Sequence, residues 1–225
     1  MRYLNAFCYK EWIKLKSVAG LLLAANICFA LYLCLKLRYV GNFYEGEQIW
    51  GSWIAKAYLF YTPYRWLPLI SGTLLGFLQF HEESKNHRIR LLFHLPLNEE
   101  KAILWHELIG LALMLATVLP ALLVFAVFST FYFPAEFLGN LVITSFPWLI
   151  GGIFGYLFMA LFQMEGYKRY RVVYLLLGYG LIRQLYYLDF YDTYARILPH
   201  LTIAAVLFLC LPLLSSFRYR KGLSQ

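Results

Sequence analysis

The chain has 225 residues, of which 61% are apolar or aromatic and only 14% carry a charge, against about 25% charged in an ordinary soluble domain. A water-soluble globule of this length still exposes roughly a quarter to a third of its surface, so this composition fits lipid rather than water as the surrounding solvent. The net charge of +8 sits in short basic runs between long uncharged stretches, which follows the positive-inside rule and argues against a nucleic-acid partner, for which Lys and Arg would have to cluster on a polar surface.

In chain order, residues 1–16 come first. Leu4, Phe7, Cys8, Trp12 and Leu15 fall on one helical face while Lys10 and Lys14 lie off it. This predicts an amphipathic helix in the cytoplasmic interface, with Glu11 intruding on its apolar face; the alternative is a first span that simply starts early with a basic flank. The apolar run that follows, about 17–36, is long enough to cross a ~30 Å hydrocarbon core. No small-x-small cleavage pattern precedes Lys36, so a removed signal peptide is not expected.

A second span is expected over 57–80. Its uncharged part is 66–80, and it reaches full length by running back through Arg65, whose long side chain can snorkel to the interface. Two long uncharged stretches predict spans at 107–130 and 138–163, joined by a tight turn around Pro134 and Glu136. A shorter fifth segment, 171–188, spans if Arg183 faces protein or headgroups, and 197–217 is the sixth. The predicted fold is therefore an all-α single transmembrane domain of six helices. Most Lys and Arg then lie on one side, placing the chain as a multi-pass plasma (inner) membrane protein with both termini cytoplasmic. A four-span layout without the two shorter segments is the topological rival.

One predicted cytoplasmic segment, 81–107, has internal order. Glu82, Glu83, Lys85, Arg88 and Arg90 are followed by Leu91, Leu92, Phe93 and Leu95, and Pro96 then breaks the run, because proline disfavours helix at the residue before it. Asn98 is placed to cap the next helix. A helix, a break and a second helix re-entering the bilayer make a bent, charged hairpin that a soluble protein can grip. The alternative is a solvated charged loop over buried leucines.

Glu83, Leu91-Leu92 and Leu95-Pro96-Leu97-Asn98, in that order after the second span, resemble the stretch found at this place in ABC type-2 transporter permeases. The resemblance extends to the basic N-terminal helix, the six-span layout and the basic tail 217–222. Three positions depart from it: His87-Arg88 stands where that family has Gly-Thr, and His106 stands where it commonly has Lys. The resemblance implies a permease subunit of an ATP-driven exporter, paired with a second permease subunit, identical or paralogous. Its hairpin would dock on separate ATPase subunits that carry ATP and Mg, with no nucleotide cofactor and no enzymatic activity on this chain. Glu83, Arg88, Arg90 and Glu99 would make the polar contacts, Leu91, Leu92, Phe93 and Leu95 would pack at the joint, and Pro96 and Asn98 would form its bend.

Motifs for other chemistry do not occur. There is no G-x-x-x-x-G-K-[ST] and no G-x-S-x-G, so neither a phosphate loop nor a hydrolase serine is expected. His81-Glu82 opens like a zinc helix, but Lys85 stands where H-E-x-x-H needs its second histidine. His87 and His94 can share a helical face, whereas His106 and Glu107, being neighbours, point apart; no metal site is predicted. Cys8, Cys28, Cys34 and Cys210 form no C-x-x-C pair. No charge lies deep in the four longest spans, which argues against a proton relay. Tyr170, Tyr174, Tyr179, Tyr186, Tyr187, Tyr191 and Tyr194 form either an interfacial belt or a wall for an amphipathic substrate, and Gly151, Gly152 and Gly155 permit close helix packing. The remaining rivals are a membrane-embedded lipid-modifying enzyme, for which Asp189 and Asp192 are the only candidate pair, and a non-catalytic subunit of a membrane complex.

Overall fold

The structure, a computed structural model, describes residues 2–41, 59–85, 99–133, 136–165, 167–187, 194 and 196–212. Their regular structure is helical: α1 (Arg2–Gly41), a 3-10 turn (Thr62–Arg65), α2 (Trp66–Lys85), α3 (Glu99–Tyr132), α4 (Glu136–Met164), α5 (Lys168–Leu185) and α6 (Leu198–Phe208). Among the described residues three stretches are long and apolar enough to cross a membrane, Cys8–Tyr39 in α1, Lys101–Tyr132 in α3 and Phe137–Met164 in α4. The chain is thus a helical, membrane-embedded protein. At 1.5 Å per residue, the 32 residues of the first two rise about 48 Å, more than the ~30 Å core, so these helices tilt or project beyond it.

Several boundaries differ from those expected. Residues 2–16 are not a separate interfacial helix; they are the first turns of α1, which runs unbroken to Gly41, because no proline or glycine pair interrupts the ladder. Their inward face also differs: Glu11 and Leu15 are buried while Trp12 is half-exposed. The second helix does not reach back to 57 within the described residues. Leu59, Phe60 and Tyr61 lead through the 3-10 turn, whose start carries Pro63, and α2 gains its 20 residues by continuing past Phe80 to Lys85. The last expected span, 197–217, is helical over Leu198–Phe208, about 16 Å of rise, passes a turn at 209–210 and is helical again at 211–212; 213–217 lie outside the described residues.

Apolarity on every side explains the helices' arrangement. On α3, Met114, Val118, Ala121 and Phe125 are buried, whereas Leu119, Leu123, Val127 and Phe131 on the other face are exposed, as expected when the outer solvent is lipid. Pro120 in α3 and Pro147 in α4 sit inside continuous helices. α4 is the hub, touching α2, α3, α5 and α6, while α1 packs along α2 and α3.

The tightest seam joins α2 to α4 and is made by glycine. A Cβ on Gly72 would overlap the carbonyl oxygen of Gly152, one on Gly76 would lie 2.6 Å from the carbonyl oxygen of Tyr156, and one on Gly152 would lie 2.6 Å from that of Pro68. Gly72 and Gly76 are one turn apart, the small-xxx-small spacing that lets two membrane helices meet backbone to backbone. Halfway along α1, buried Asn26 donates to Ser71 Oγ at 3.0 Å and accepts from the Tyr64 hydroxyl at 2.9 Å. Such bonds hold helices together where lipid offers no partner.

Candidate functional site: a charged knot at the N-terminal end of the bundle

Charged and amide side chains gather at one end, where α1 begins, α2 ends, α3 begins and α4 passes. Lys10 and Lys14 lie one turn apart on α1, and Gln79 and Glu83 one turn apart on α2. Lys10 Nζ donates to Glu83 Oε1 at 2.8 Å, and Lys14 Nζ lies 3.6 Å from the same oxygen. Lys14 also donates to the main-chain carbonyl of Gln79. The Gln79 amide then bridges to the remaining helices: its Nε2 donates to the carbonyl of His106 on α3 at 2.8 Å, and its Oε1 accepts from the Tyr156 hydroxyl on α4 at 2.7 Å. Four helices are therefore tied through two neighbouring side chains of α2.

Gly110 makes the crossing possible. A Cβ there would overlap both Gln79 Oε1 and the Tyr156 hydroxyl, so a side chain on this turn of α3 would expel one of them. Around this bridge are three more ionisable groups. Glu11 Oε1 is 3.4 Å from His106 Nδ1 and 3.7 Å from Lys10 Nζ, and the His106 ring stands edge-on to Phe80 at 4.8 Å. Glu107 is fully buried, and neither of its carboxyl oxygens makes a hydrogen bond among the described residues. A buried carboxyl of that kind is expensive.

Glu83 lies beyond the apolar stretch 66–80 of α2. Burial alone would raise its pKa, but the hydrogen bond from Lys10, the charges of Lys10 and Lys14 and that of His106 outweigh it, and the carboxyl is held below its ordinary value. Nearby, Arg171 at the start of α5 donates from Nε to the carbonyl of Glu165 at 2.6 Å, joining the α4 and α5 ends at the same face of the bundle.

Of the residues predicted to couple to a partner, Glu83 belongs to this knot. Glu99 opens α3, with its side chain outside the described part. Arg88, Arg90, Leu91, Leu92, Phe93, Leu95, Pro96 and Asn98 lie outside the described residues, as do His87, His94, Tyr191, Asp189 and Asp192. His106 and Glu107 point to different sides, yet both are buried, since α1, α2 and α4 surround the first turns of α3. Among the described residues no three His, Cys, Asp or Glu side chains gather as a metal site would require. Gln79, Tyr156 and Gly110 were not singled out by sequence. A signal existed in the matched spacing of Lys10 with Lys14 and of Gln79 with Glu83, two polar pairs one turn apart on helices that pack together.

Of the three glycines expected to allow close packing, Gly152 and Gly155 face α2, while Gly151 lies against Tyr186, whose ring a Cβ there would meet at 2.6 Å. No family model, curated protein or solved structure matches the chain.

Proposed function

We propose that the chain is the membrane-spanning permease subunit of an ATP-driven exporter of the ABC type-2 kind. In this reading it crosses the membrane six times with both termini cytoplasmic, pairs with a second permease subunit, and docks separate ATPase subunits through residues 86–98. The supporting observation is the position of Glu83. It stands where α2 hands over to that segment, and it is anchored to Lys10 and Lys14 of α1 at 2.8 and 3.6 Å. A pull on the hairpin would be delivered through Glu83 to α1, and through Gln79, one turn away, to α3 and α4.

The glycine seam between α2 and α4 supports the same reading. Backbones that meet without interlocking side chains can slide, and an ATP-driven cycle needs two arrangements of the spans with different affinity for cargo. ATP and Mg belong to the partner, and this chain's residues contribute the docking hairpin and the transmission. The test is purification of the tagged chain in mild detergent. A Walker-type ATPase copurifies, and Arg88→Glu with Arg90→Glu releases it while the permease keeps its elution volume. A doubly substituted chain that retains its ATPase would show that the hairpin is not the dock.

A further inference from the structure

At the end of the bundle opposite the knot, α2, α4 and α5 leave a cleft of about 660 Å³ between them. Its two ends differ in chemistry. The outer end is framed by Trp66, where α2 begins, and by Arg183 and Tyr186, where α5 finishes. The Trp66 and Tyr186 rings stack at 5.1 Å, the Tyr186 hydroxyl donates to the carbonyl of Arg65 at 3.0 Å, and the Arg65 guanidinium lies 5.0 Å over the Trp66 ring. The inner end is hydrocarbon, Phe158, Met159 and Leu175. Beside it the outward face of α5 is apolar and exposed, Leu176 at 65%, so the cleft opens sideways into lipid.

The dimensions match one leaflet. From Leu175 to Tyr186, at 1.5 Å per residue, the α5 wall runs about 16 Å, close to half of the ~30 Å hydrocarbon thickness. Paired tryptophan and tyrosine rings mark the level of the headgroups. At that level Arg183 lines the cleft and Arg65 stands beside it, and among the described lining residues there is no carboxylate.

The geometry points to a binding site for one anionic glycerophospholipid, with an acyl chain in the cleft and its phosphate on Arg183. Hydrocarbon is matched to hydrocarbon along the walls, and the guanidinium offers the planar, two-pronged donor set that suits a phosphate. The site requires only that the protein sit in a membrane, and it is independent of any role in transport.

Trp66 is half-exposed and serves as the reporter. The full-length chain and a Trp66→Phe variant are reconstituted in phosphatidylcholine vesicles containing a minor fraction of phosphatidylglycerol or phosphatidylcholine brominated on the acyl chains. The difference in fluorescence between the two chains isolates Trp66. Brominated phosphatidylglycerol is expected to quench it with about fivefold higher apparent affinity than brominated phosphatidylcholine, the worth of one arginine facing an anionic headgroup. Arg183→Gln removes that preference and Arg183→Lys keeps most of it. Equal quenching by the two lipids in the unsubstituted chain would overturn the proposal, and that comparison decides alone if Arg183→Gln fails to fold. Absence of Trp66 quenching by either lipid would overturn it as well, showing the cleft covered by protein such as a second copy of the chain.

Discussion

The two ends of the bundle are held by different physics. At the N-terminal end, α1, α2, α3 and α4 are joined by directional contacts, Lys10 and Lys14 to Glu83 and Gln79 to His106 and Tyr156. At the opposite end most of the joints are aromatic, beside the hydrogen bond from the Tyr186 hydroxyl to the Arg65 carbonyl. Phe60 lies nearly parallel to Phe133 at 6.1 Å and to Phe137 at 6.3 Å, and meets Phe125 edge-on at 6.0 Å, while Tyr61 crosses Trp148 at 5.6 Å. Aromatic pairs add modest energy beyond their buried area, whereas charge-assisted hydrogen bonds are shorter and about twice as strong as neutral ones. A bundle built this way is held at one end by donor–acceptor pairs and at the other mainly by ring packing. The polar end is the one from which residues 86–98 depart.

Three substitutions probe that contrast, read by equilibrium unfolding in mixed micelles. The largest effect is expected between the two ends, at Gly72. Gly72→Ala drives a methyl group into the carbonyl of Gly152, and backbone cannot yield as a side-chain tip can. A loss of about 3 kcal/mol is expected, with both ends loosening together. A near-neutral result would mean that the ends are coupled by something other than the α2–α4 seam.

Next comes Glu83→Gln. A buried pair broken on one side costs about 3 to 5 kcal/mol, but Lys10 is half-exposed and water screens it, so about 2 kcal/mol is the expected loss. The pH dependence has a definite sign. Because the folded-state carboxyl titrates below its unfolded value, its contribution is complete above the ordinary carboxylate range and disappears as the pH falls through the lowered value. The gap between the original chain and Glu83→Gln should therefore close in acid. A gap that widens in acid would show that the lysines do not hold this carboxylate ionised.

The smallest effect is expected from Phe60→Leu, about 1 kcal/mol for the lost ring contacts, unchanged by pH or salt. If this loss varied with pH as Glu83→Gln does, the two ends would not be distinct.

Sequence showed the long spans well and the knot poorly, for identifiable reasons. The uncharged stretches over 108–130 and 138–163 exceed the bilayer thickness, so α3 and α4 were legible from length alone. The start of α1 was legible only as one of two alternatives, and the continuous helix of the second is the one found, because the helix runs on through Lys10, Glu11 and Lys14 and hydropathy marks where lipid begins rather than where hydrogen bonding does. Glu11 looked like an intruder on an apolar face. The inward face at that level is polar, and it is Trp12 that turns outward.

The start of α2 was misplaced because a 3-10 turn has no hydropathy signature, although Pro63 marked the spot. The knot itself joins residues 73 positions apart in the case of Lys10 and Glu83, and no local period reports a contact of that range. Glycines are legible as small but not as to what they meet. Gly152 was anticipated as a packing position, whereas Gly110 matters because Gln79 and Tyr156 happen to cross over it.

The measurement that tests the central claim most directly is sidedness of the segment that leaves the knot. In a chain whose four cysteines are replaced, Asn98→Cys is exposed to a membrane-impermeant maleimide in intact cells and in inverted vesicles. An engine-driven permease with a cytoplasmic hairpin predicts protection in intact cells and full labelling in the inverted vesicles. Labelling of Asn98→Cys from outside intact cells would place residues 86–98, and the charged knot next to them, on the wrong side of the membrane for any ATPase to reach.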